Sequence, residues 1–167
     1  MTDDTSAAMF ESGAQWLKQH RETYLRSGGA EGHIIDLSAN GGRPFATHCL
    51  LRYVGRKSGK TYINPVLYGV FGGEIVVVGS KAGADHHPSW FVNITARDGV
   101  DFQIATQAFR GTWRQAEGEE RARIWNFMLG NHPPFADYQK STSRQIPILL
   151  LKASEQIPVF KESEADR

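Results

Sequence analysis

The sequence predicts an α+β domain built on a mostly antiparallel β-barrel, with helices at its margins. Three observations lead there. Short runs rich in β-branched and aromatic residues recur between residues 33 and 152. Turn signals separate them, Gly72-Gly73 being the tightest. Helical periodicity is confined to the ends and to the gaps between strands. At 167 residues the chain reads as a single domain, 1–167, long enough for a sizeable core.

The elements follow in order. Residues 1–6 and 161–167 are polar ends expected to be disordered. An amphipathic helix is expected over 8–26, with Phe10, Ala14, Leu17 and Tyr24 on one face and Ser27-Gly28-Gly29 ending it. That stripe suits packing on the domain or peripheral contact with a membrane surface. Strands are expected over 33–39 and 45–54, around Asn40-Gly41-Gly42-Arg43-Pro44, and over 61–71 and 74–80, around Gly72-Gly73. Ile75-Val76-Val77-Val78 is continuously apolar, as in a strand buried on both faces. Pro88 opens a helix to about 97, and strands follow over 100–108 and 111–115. A helix over 117–129 begins with acids that suit its dipole. A short helix over 135–140 and a buried strand over 146–152 complete the series.

Composition excludes several functions. The net charge of +1 and the absence of a long basic run argue against a nucleic-acid partner. Cys49 is the only cysteine, so no internal disulfide forms, and its apolar neighbours mark a buried side chain. No stretch is long enough to span a bilayer, and the acidic start lacks a signal peptide's apolar centre. A cytoplasmic protein, with membrane association left open, is the expectation. The sequence also leaves a homodimer open.

Charge concentrates locally. Gly55-Arg56-Lys57-Ser58-Gly59-Lys60-Thr61 places three cations, two glycines and two hydroxyls in one turn. Backbone N–H groups in such a turn form a nest for an anion. A nucleoside-triphosphate loop needs four residues between its glycines and a helix after them. Here three intervene, and Tyr62-Ile63-Asn64-Pro65-Val66 reads as a strand. From the turn alone, a solvated basic hairpin remains the alternative. A second polar loop, Gly79-Ser80-Lys81-Ala82-Gly83-Ala84-Asp85, follows the buried strand and precedes Pro88-Ser89-Trp90. Ser80 and Lys81 suit the far side of an anion site, and Trp90 offers a flat surface to a ring. The pair His86-His87 lacks companions at ligand spacing, so no metal site is expected.

These segments, with Asn93, Tyr138-Gln139 and Arg144-Gln145-Ile146-Pro147-Ile148, occur in an order and at spacings that resemble the deazaflavin-dependent nitroreductase and quinone reductase family, a branch of the split β-barrel flavin/deazaflavin oxidoreductases. The resemblance implies a split-barrel core over 33–152. It implies coenzyme F420 as cofactor, a 5-deazaflavin with a phosphate and an acidic oligoglutamate tail. It places Arg56, Lys57 and Ser58 on the tail or phosphate. Val78, Gly79, Ser80 and Lys81 would line the phosphate and ring side. Tyr62, Asn64, Pro65, Val66, Ser89, Trp90, Asn93 and Phe135 would border the deazaflavin. Tyr62 stands where well-known members carry a further arginine. His132, Phe135 and Tyr138 stand where those members line the acceptor pocket with three tyrosines.

The implied chemistry is hydride transfer from the reduced deazaflavin to a small electron-poor acceptor: a quinone, a nitroaromatic or a conjugated carbonyl. The protein supplies binding and alignment. A proton would follow from water, Tyr138 or His132. Two alternatives keep the fold: an FMN-dependent reductase of the same superfamily, and a non-catalytic flavin- or deazaflavin-binding protein. The surplus cations of the turn favour the tailed deazaflavin over FMN.

Overall fold

Seven antiparallel strands form the body of the structure, a computed structural model that describes residues 15–165. They are β1 (Ile34–Ile35), β2 (Ala46–Val54), β3 (Thr61–Phe71), β4 (Glu74–Val78), β5 (Val100–Ile104), β6 (Gln107–Gln115) and β7 (Ile148–Ile157). The order β2-β3-β4-β7-β6-β5 closes on itself because β2 also pairs with β5, through Cys49↔Ile104 to Arg52↔Asp101. The result is a six-stranded barrel with β1 added beside β2. Four helices pack around it: α1 (15–26), α2 (Ser89–Thr95), α3 (Gly118–Asn131) and α4 (Pro134–Lys140). The barrel and its flanking helices agree with the expected fold.

Alternation along the strands divides the core into three layers. Cys49, Leu51, Tyr53, Tyr68, Val77, Phe102, Leu149 and Leu151 belong to one cluster, which Trp90, Phe91 and Ile94 of α2 complete. The outward residues Val76, Val78, Ile148 and Leu150 meet Ile124 and Met128 of α3 and Phe135 of α4. A third cluster joins Tyr24 and Leu25 of α1 to Leu50, Ile63, Ala108 and Phe160. β4 is thus covered on both faces, as its continuous apolar run requires. Cys49 is fully buried and its thiol is pushed up to about 12, so it is not a nucleophile at neutral pH.

Several boundaries differ from those expected. The strand over 33–39 shrinks to Ile34–Ile35, because the Asp36 carboxylate accepts from Ser38 N (2.9 Å) and Ser38 Oγ (2.5 Å) and turns the chain into a 3-10 helix, Ser38–Asn40. The run over 100–108 breaks into β5 and β6 at Ala105, which has φ 51°. The last strand begins later and runs on to Ile157. It pairs with β6 across an irregularity at Arg110/Gly111, where a Cβ on Gly111 would lie 2.1 Å from the Lys152 carbonyl. Of the helix over 8–26, residues 8–14 lie outside the described residues. In the rest, Tyr24 is buried as expected, but Leu17 is 51% exposed, and His20 and Leu25 complete the buried stripe. Beyond 160, where a loose end is expected, Glu162–Glu164 form a 3-10 turn. Glu162 pairs with Arg26 (3.0 Å) and Glu164 with Arg52 (2.7 Å).

Tyr24 explains how the β5–β6 turn holds without turn residues. Its hydroxyl accepts from Ala105 N (2.9 Å) and donates to His48 O (2.9 Å), inside a fully buried site. Tyr24→Phe strands both groups away from water. It should destabilise the fold by about 1–3 kcal/mol, measured as a lower urea midpoint at unchanged slope.

Candidate functional site

β3 outruns its neighbour. β4 pairs only with Tyr68–Phe71, so residues 61–67 of β3 have a strand, β2, on one side alone. Pro65, which has no N–H to give a second neighbour, sits in this stretch. Along it opens a cleft of about 720 Å³, lined by Asn64, Pro65, Val66 and Leu67. Val78, Ser80, Lys81, Ala82, Pro88, Ser89 and Trp90 form one part of its wall. Trp16 and His20 of α1, His48 of β2, and His132, Phe135 and Tyr138 form another. Lys18, Arg21 and Lys81 line it, and among the described residues no carboxylate does. A cleft of this size with cations and flat aromatic rings suits an acidic ligand that carries a ring system.

The sequence-predicted residues separate into two groups. Asn64, Pro65, Val66, Val78, Ser80, Lys81, Ser89, Trp90, His132, Phe135 and Tyr138 converge on the cleft. Arg56, Lys57, Ser58, Tyr62, Gly79 and Asn93 do not line it. The basic turn stands at the end of the β2–β3 hairpin. It is closed by Gly55 N to Lys60 O (2.8 Å) and Gly59 N to Gly55 O (2.9 Å), and Arg56 to Lys60 are exposed. The Ser58 hydroxyl is taken up locally, accepting from Lys60 N (3.2 Å) and lying 3.3 Å from Tyr62 Oη. Asn93 ties this turn to the cleft. Its Oδ1 accepts from Arg56 N (2.9 Å) and Nη1 (3.2 Å), while its Nδ2 donates to Ser89 O (2.9 Å). Asn93 is therefore a strut between the two parts of the site. Gly79 is pressed against Pro147, behind the wall.

The cations are available. Among the described residues, Arg26, Arg52, Arg110 and Arg114 have carboxylate partners. Arg56, Lys57, Lys60 and Lys81 have none there. Lys81 Nζ instead donates to His86 Nε2 (2.6 Å), and His86 Nδ1 meets Asp85 (3.1 Å). Lys81 (φ 45°) and Ala82 (φ 51°) both adopt left-handed backbone, at a cost of about 1–2 kcal/mol each. Gly83 follows in the same region (φ 81°). A Cβ there would strike Ser141 Oγ at 2.1 Å, so only glycine fits against the end of α4.

Sequence reasoning missed His20 and His48. They lie on separate elements, and nothing in spacing pairs them; packing brings their rings to 5.0 Å. His20 Nε2 donates to Gly32 O (2.7 Å) and His48 Nδ1 to Ala46 O (3.1 Å), since a carbonyl only accepts. Burial, then the neighbouring His20, pushes His48 down to about 4, and burial also lowers His20 and His132. The three imidazoles are neutral at pH 7. Burial, then Asp137, raises Tyr138, so its phenol keeps its proton. Its ring lies 6.2 Å from those of His132 and Phe135.

These histidines make stability fall with acid. Unfolded His48 takes a proton near 6.5, whereas the folded group refuses it until about 4. The contribution is full above pH 6.5 and is lost as pH falls toward 4, by about 3 kcal/mol for His48 alone. His20 and His132 act in the same direction. Urea unfolding between pH 7.5 and 4.5 should show this slope, and His48→Gln should flatten it.

The chain is similar to known proteins over most of its length. Residues 16–153 match the family described as F420H(2)-dependent quinone reductase. The F420H(2)-dependent quinone reductase Rv1261c of Mycobacterium tuberculosis is 29% identical over 142 residues, 83% of this chain and 91% of that one. A solved F420-H2 dependent reductase (FDR-A) superposes with a TM-score of 0.58 at 35% identity, covering 63% of this chain and 93% of the other. A chain solved as a domain-swapped dimer superposes at 0.60 with 31% identity, covering 84% of this chain and 99% of that one.

Proposed function

Because the chain belongs to the F420H(2)-dependent quinone reductase family, we infer that it is an oxidoreductase that uses reduced coenzyme F420 to reduce a small quinone. One observation carries the reading beyond family membership: among the described residues the cleft has basic and aromatic walls and no carboxylate. That donor set fits an acidic deazaflavin. Ser80 and Lys81 hold the phosphate, and Trp90, Ser89, Asn64, Pro65 and Val66 border the ring. Arg56, which Asn93 couples to Ser89, and Lys57 beside it hold the acidic tail outside the cleft. FMN has no such tail and leaves these cations without a ligand.

When bound, the reduced deazaflavin supplies a hydride. The protein supplies alignment, and a proton for the oxygen that becomes anionic. Tyr138 gives this proton. Its phenol is protonated at neutral pH and makes no hydrogen bond within the described residues that would compete. His132 is neutral there and serves as a hydrogen-bonding wall of the acceptor pocket. A hydride and this proton together convert a quinone to a hydroquinone.

Reduced F420 mixed with the protein and a simple naphthoquinone should be consumed, with none consumed when the quinone is omitted. Binding of F420 without quinone-dependent turnover would show a carrier rather than an enzyme.

No described helix is long and apolar enough to cross a membrane. The exposed Trp16 (43%) and Leu17 (51%) beside Lys18 and Arg21 favour peripheral contact of α1 with an acidic lipid surface, next to the mouth through which an apolar quinone enters. Co-sedimentation with anionic vesicles, lost in Trp16→Ser/Leu17→Ser, checks this. The dimeric neighbour supports a homodimer for this chain, which light scattering would detect.

A further inference from the structure

We propose that Arg144 is a positioning residue that sets Ser80 and Lys81 in the shape that grips the cofactor phosphate. The proposal rests on the reading of the cleft as an F420 site. Arg144 does not line the cleft. It stands between α4 and β7 and points its guanidinium into the loop over 79–87. Nη1 donates to Gly79 O (3.1 Å) and His87 Nδ1 (2.9 Å), Nη2 to Ser80 O (2.7 Å), and Nε to Ala84 O (2.7 Å).

An arginine usually offers this planar fork to a carboxylate or a phosphate. Here every one of its partners belongs to a single loop, and they bracket the two left-handed residues Lys81 and Ala82. Such a backbone persists only where its surroundings hold it. Ser141 Oγ, whose proton is shared between Tyr138 O (2.8 Å) and Gly83 O (3.1 Å), closes the same cage from the end of α4.

The clamp has an electrostatic consequence. No carboxylate lies within ion-pair distance of Arg144 among the described residues; the loop's own acid, Asp85, is exposed, meets His86 and attracts Arg144 only from a distance. A positive charge thus sits directly behind Ser80 and adds to that of Lys81. Removing it loosens the loop and weakens the field at one end of the cleft, while the ring-bordering wall of Asn64, Pro65 and Trp90 stays in place. Lysine keeps the charge but not the fork, so it restores the clamp only in part.

The test compares two ligands by fluorescence quenching: coenzyme F420, and the same deazaflavin with its ribityl chain but without phosphate and tail. Thermal unfolding of each variant provides the control for folding. Arg144→Ala should weaken F420 about 10–100-fold, Arg144→Lys by less, and neither should change affinity for the truncated ligand more than about twofold. Should Arg144→Ala not fold, the same selective loss is required of Arg144→Lys. Equal weakening of both ligands means a general collapse of the cleft and overturns the proposal, as does undiminished F420 affinity in a folded variant. A wild-type chain that binds the truncated ligand and F420 equally well overturns the phosphate grip itself. One that binds neither contradicts the F420 reading, and this proposal with it.

Discussion

Replacing Arg56 and Lys57 together with alanine should weaken coenzyme F420 binding by about 10–100-fold, the effect of losing two charge-assisted contacts. The remaining affinity should depend less on salt, because fewer exposed charges are left to screen. The fold should be unaffected. Both side chains are exposed and lack carboxylate partners among the described residues. Asn93 Oδ1, which loses the Arg56 guanidinium, still accepts from the Arg56 backbone N–H at 2.9 Å. A titration at low and high salt separates this from a change in the cleft. Undiminished affinity would mean that the turn is a solvated hairpin and that the tail goes elsewhere.

Tyr138→Phe should lower kcat for quinone reduction by about 10²-fold or more, the usual worth of a positioned acid, with F420 affinity unchanged. The substitution removes one oxygen that bonds no other described residue, so no protein group is left unpaired and stability should hold. Phe135 and His132 keep the shape of the acceptor wall. His132→Gln, by contrast, should raise KM more than it lowers kcat, because the neutral imidazole offers a contact and no readily released proton. An unchanged kcat in Tyr138→Phe would assign the proton to water.

Most strands were legible because alternation and β-branched runs are local properties of the chain. The expected β3 matches the strand to its exact residues, since Gly72-Gly73 ends it and the polar turn before Thr61 begins it. The β5–β6 turn was not legible, because Ala105-Thr106 carries no turn chemistry and its support, the Tyr24 hydroxyl, arrives from α1. Leu17 misled for a related reason: helical spacing finds a stripe, but only packing shows which stripe is buried.

The site divides in the same way. The glycines, hydroxyls and cations of both loops are plain in the sequence. That the cleft stops short of the basic turn could not, because the separation depends on the paired length of β3 and on Asn93 spanning the gap. The imidazoles of His20 and His48 come from elements far apart in the chain and meet only in the fold. Arg144 looked like part of a motif; its four bonds to one loop are visible only in three dimensions.

Parallel titrations with coenzyme F420 and with FMN, each followed by fluorescence and by the shift in thermal midpoint, decide whether the cleft and the basic turn serve a tailed deazaflavin. A ligand that binds the native state raises that midpoint according to its concentration relative to Kd. Saturable binding and stabilisation by F420 are expected, with FMN weaker by at least about tenfold for want of a tail to engage Arg56 and Lys57. Equal or tighter binding of FMN would contradict it.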